Sequence, residues 1–101
     1  MRFDSGSVNI PSAGTAVQVS NTRHKVLWIK FKALAANTGL TFVGLSDVSS
    51  SNGYELGAGG DIDGELALDF RLGAPGSVGF NVFYVDAAED GEDVTWAAIF
   101  Q

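Results

Sequence analysis

Hydrophobic and polar positions along this chain alternate with a period of two. The clearest stretch runs from Ile62 to Leu72. Ile62, Gly64, Leu66, Leu68, Phe70 and Leu72 share one parity, and Asp63, Glu65, Ala67, Asp69 and Arg71 share the other. This is a strand with one wet face; a helix would carry those acids into the core. Lys25 to Ala33 alternates too. Leu27, Ile29, Phe31 and Ala33 form an apolar face, and Val26, Trp28, Lys30 and Lys32 one that is half apolar and half cationic. Shorter strands are predicted at Thr15–Val19, Leu40–Leu45, Val78–Val85 and Val94–Phe100, with a weaker one at Ser7–Ile10 ended by Pro11. Asn52-Gly53 and Asp90-Gly91 are tight-turn pairs, since these residues tolerate positive φ. The one helical candidate, Ala33–Asn37, is too short to matter. The expectation is an all-β fold of seven or eight short antiparallel strands: a single compact β-sandwich, jelly-roll-like, or a small barrel. It forms one domain over residues 1–101, with 1–12 as an N-terminal arm carrying Arg2, Phe3, Val8 and Ile10.

Two strands are apolar on both parities. Val26 and Trp28 oppose Leu27, Ile29 and Phe31; Phe83 and Val85 oppose Phe80, Val82 and Tyr84. A sandwich core uses one face of each strand. The second face then points to a partner, which assigns Val26, Trp28, Phe83 and Val85 to contacts between copies of the chain. A closed ring, most simply a trimer, is the expected assembly.

The 101 residues include no Cys and one His, and the net charge is −6. Absent Cys excludes disulfides, thiolate zinc sites and a thiol nucleophile. The acidic balance argues against nucleic acid, which needs clustered Lys and Arg. No run approaches ~18 apolar residues, so no membrane-spanning helix is expected. The leading residues have no apolar signal core, so assembly without export is expected. The charge is split: residues 1–46 hold five bases and one acid, or +4, while 47–101 hold one base and eleven acids, or −10. Basic and acidic patches of neighbouring copies would complement each other head to tail.

Chemical candidates are sparse. His24 stands between Arg23 and Lys25 with no serine elbow anywhere. Asp61 to Glu65 mimics a calcium loop, but the twelfth position is Leu72. Asp86 to Asp93 holds five carboxylates, a cluster able to take a hard cation or, more simply, a solvated loop. Gly57 to Gly60 lacks the Lys and helix of a phosphate loop. No catalytic residue, cofactor or metal is assigned, and no enzyme activity is expected. Tyr54, in a Ser/Asn/Gly loop, is the best glycan contact if the chain is instead a carbohydrate-binding module.

Val26-Leu27-Trp28-Ile29-Lys30, then Ala36 to Gly44, then Ser46 to Leu56 resembles small β-rich structural proteins of tailed bacteriophages. The similarity is good over residues 25–72 and looser elsewhere. It implies a virion component: a capsid decoration or cement protein bound to the major capsid protein, or else a tail, neck or fibre part. It brings no catalytic residues.

Overall fold

The computed structural model describes residues 2–57, 65–71 and 78–101. Its strands are β1 (Arg2–Ile10), β2 (Val17–Gln18), β3 (Val26–Ala33), β4 (Thr41–Gly44), β5 (Tyr54–Glu55), β6 (Glu65–Asp69), β7 (Tyr84–Ala87) and β8 (Glu92–Phe100). They form two four-stranded sheets, β1-β8-β3-β6 and β2-β7-β4-β5. Every pairing is antiparallel, and the ladders nest: β1 with β8, β2 with β7, β3 with β6, β4 with β5. The chain is one doubled-back hairpin rolled into a sandwich, which is the eight-stranded jelly roll.

The core between the sheets is built by alternation. Ile29, Phe31 and Ala33 of β3 meet Val43 of β4 and Val85 and Ala87 of β7 in one cluster. Leu66, Leu68 and Phe70 pack on its margin, as the period-two reading of that segment requires. The rest of that predicted strand, and the turns at 58–60 and 73–76, lie outside the described residues.

Two irregularities change the expected faces. In β3, Val26 pairs with Phe100 while Trp28 pairs with Ile99, so β3 carries one extra residue at Leu27. Such a bulge flips parity for everything before it. Val26 therefore joins Ile29 in the core, and Trp28 stays on the outer face. The segment 78–85 is likewise not one strand. Val78 accepts from the Val26 N–H (2.8 Å), and the Phe80 N–H donates to His24 (2.9 Å), alongside the first sheet. A 3-10 turn, Phe80–Val82, then carries the chain into the second sheet as β7. Three residues per turn put Phe80 and Phe83 on the same side. Phe83 meets Phe31 in a tilted contact at 5.4 Å, and Phe80 meets Trp96 edge-on at 4.7 Å.

The N-terminal segment is also corrected. Residues 2–10 are no arm: all nine pair with β8, from Arg2 opposite Phe100 to Ile10 opposite Glu92. Val8 and Ile10 are core residues.

Candidate functional site

Three of the four side chains assigned to a contact surface are interior. Val26, Phe83 and Val85 are buried in the core cluster, where they hold the sheets together and reach no partner. Trp28 is the exception. It is half-buried on the outer face of the first sheet, where the register sets Phe3 opposite Ile99 and Ile99 opposite Trp28. Phe3 is 65% exposed. These three form an apolar row across β1, β8 and β3. Ile99 was not legible as a site residue; its only signal was the second parity of β8, Thr95-Ala97-Ile99.

Next to the row lie Ser5, Ala97, Lys30 and Ala67, then Ser7, Thr95, Lys32 and Glu65. The face thus grades from aromatic to cationic. A shallow hollow of about 230 Å³ there is lined by Lys30, Lys32, Glu65, Thr95, Trp96 and Ala97. Lys30 Nζ stands 2.9 Å from Glu65 Oε2 and, by that hydrogen bond, holds the Glu65 carboxyl below its ordinary range. At the row's other end, Asp69 accepts from Arg71 Nη2 at 2.7 Å, which draws its pKa down to about 2.

The outer face of the second sheet is covered around Phe42, while Glu55 beside it stays exposed. Phe42 points outward from β4, yet it is buried, because residues 45–53 fold back over it. Val48 caps it, and the loop is wound by Asn52, whose Oδ1 accepts from the Ser49 N–H (2.8 Å) and whose Nδ2 donates to the Asp47 carbonyl (3.1 Å). A β-carbon on Gly53 would stand 2.6 Å from that of Phe42. Within the resemblance stretch 46–56, Val48 and Gly53 are therefore packing residues. The same holds for Asn37, which bonds both the N–H and the carbonyl of Asp93, and for Thr38, whose N–H and hydroxyl reach Glu92.

The acidic cluster is dispersed by the fold. Asp86 is buried and accepts from the Gly14 and Ala87 N–H groups; Asp90 accepts from Ala13, Glu92 from Thr38, and Asp93 from Asn9. These carboxylates pin loops, and Asp86 and Glu92 do so while buried. Among the described residues no group of three or more acids, His or Cys is placed to hold a metal. His24 Nδ1 lies 2.7 Å from the Arg2 guanidinium. Since guanidinium only donates, Nδ1 is the acceptor there. The ring sits edge-on to Phe100 at 5.8 Å. Tyr54, 54% exposed on the edge strand β5, is accessible.

The fold defines an all-β sandwich with one partly covered and one open outer face. No family model matches the chain, and no curated protein matches it. Among solved structures it is similar to a part of the IMPa metallopeptidase from Pseudomonas aeruginosa. The TM-score is 0.51 at 12% identity, covering 98% of this chain and 12% of that one. Likeness at this identity is one of fold alone, and this chain spans a small fraction of the peptidase's length.

Proposed function

We propose that this chain is a non-enzymatic virion structural protein, a capsid decoration or cement protein that binds the assembled shell as an oligomer. One observation carries the reading: the open outer face of the first sheet, with Phe3, Ile99 and Trp28 in a row beside Lys30 and Lys32. An exposed apolar row on a domain this small is the mark of a docking surface, and here it sits opposite a face partly covered by its own loop. Work by contact also suits a chain whose polar clusters are spent on holding loops. Jelly rolls serve as capsid and lectin domains alike, so the fold accommodates the reading without selecting it. The resemblance over residues 25–72 is what supports the virion reading. The partner is the major capsid protein, and binding stabilises the shell by mass action.

The test is cosedimentation of the purified chain with expanded shells assembled without it, using the major capsid protein encoded near its gene. Saturable binding and a higher shell disruption temperature are expected. Failure to bind shells, with binding to tail or neck assemblies instead, would overturn the decoration assignment. Glycan binding lost in Tyr54→Ala would replace it with a carbohydrate-binding module.

A further inference from the structure

We propose that two copies of this chain join through the free edge of β1, about a two-fold axis at Phe3, so that the first sheet continues from one copy into the other. Among the described residues β1 ends that sheet, with β8 as its one neighbour. Its ladder with β8 runs unbroken over nine residues, and the two charges on its inner face, Arg2 and Asp4, are of opposite sign. Inward charges guard an exposed edge against other strands, but not against a partner that supplies their complement. Arg2 to Ser7 are exposed along their whole length, whereas Val8 and Ile10 turn into the core.

The charges choose the register. An antiparallel pair with Phe3 opposite Phe3 sets Arg2 of each copy opposite Asp4 of the other, on the same face of the sheet. An axis at Arg2 would oppose two guanidinium groups, and one at Asp4 two carboxylates; like charges directly opposite are destabilising. An axis at Ser5 would set Arg2 against Val8 and Asp4 against Gly6, and one at Gly6 would set Arg2 against Ile10 and Asp4 against Val8, so neither pairs the two charges. Asp4 bonds only its own neighbour's N–H, that of Ser5 at 2.9 Å, and has no ion-pair partner among the described residues. The same axis joins the two apolar rows end to end, from Trp28 of one copy through both Phe3 rings to Trp28 of the other. The occupant of the edge is therefore a second copy.

This inference concerns the chain alone and does not rest on the shell reading, since Arg2 and Asp4 lie on the opposite face from Trp28 and Lys30. Sedimentation equilibrium of the full chain at micromolar concentration is expected to give twice the 10.6 kDa monomer mass. Asp4→Arg and Arg2→Asp are each expected to give monomers, and the double variant Arg2→Asp/Asp4→Arg to restore the dimer. The chain has no Cys, so Phe3→Cys carries a single thiol. It is expected to form a covalent dimer under mild oxidation, while Ser7→Cys does not. A monomeric or trimeric native chain, single variants that remain dimers, or a double variant that stays monomeric would overturn the proposal.

Discussion

At the residue scale, polar side chains in this molecule fasten loops to strands. Asn37, Asp86 and Glu92 each satisfy main-chain donors or acceptors that the jelly-roll crossings leave open, and the Thr38 hydroxyl adds a second hydrogen bond to Glu92. Thr41 is different: its hydroxyl is buried in β4 without a hydrogen-bond partner among the described residues. A buried orphan polar atom costs stability that a methyl group does not, so Thr41→Val is expected to stabilise the chain by about 1 kcal/mol. Urea unfolding midpoints measure this; a lower midpoint contradicts it. Asp69 supplies a pH-dependent term. Its folded pKa of about 2 lies below the ordinary 3.8. The Arg71 pair therefore contributes fully above that ordinary value, and its contribution is lost as the pH falls towards 2. Both side chains are exposed, so the effect is small. Asp69→Asn is expected to flatten this part of the acid-unfolding curve, and an unchanged slope counts against the pair. Little of this was legible in sequence. Five acids in eight residues look alike in a string, and only the fold shows which ones face a backbone N–H.

At the element scale, the strands were legible where alternation was clean, as at 29–33 and 65–70. They misled where a bulge or a 3-10 turn reset the parity. Val26, Phe83 and Val85 looked like a second apolar face because a period-two reading assumes an unbroken strand. β1 was under-read because its first six positions are exposed, as on a free arm, while main-chain pairing leaves no pattern in side-chain polarity. Removing residues 1–10 distinguishes strand from arm. The truncated chain loses the partner of β8 together with Val8 and Ile10, and is expected to show no cooperative unfolding transition. A truncated chain that melts like the whole one restores the arm. The loop over β4 makes a second element-scale prediction. Gly53→Ala drives a β-carbon against Phe42, Val48 and the Ser49 carbonyl, and is expected to cost about 1–3 kcal/mol by overpacking. A shift in the denaturation midpoint reports it, and an unchanged midpoint contradicts the tight closure.

At the scale of the whole molecule, the sandwich is asymmetric. One outer face is partly covered by residues 45–53 and the loop bonded to Asp86; the other bears an apolar row and two lysines. Sequence foresaw two sheets and an apolar surplus, but it could not say which surplus residues were left outside, because that depends on strand register. Trp28 was the one assigned contact residue that the register kept on the surface. Substituting it separates the contact role from a packing role. The direct measurement is the affinity of Trp28→Asp for expanded shells, taken together with its urea midpoint. The account predicts a folded protein with a near-native midpoint that no longer binds or stabilises the shell. A folded Trp28→Asp that binds shells as well as the unaltered chain would contradict it.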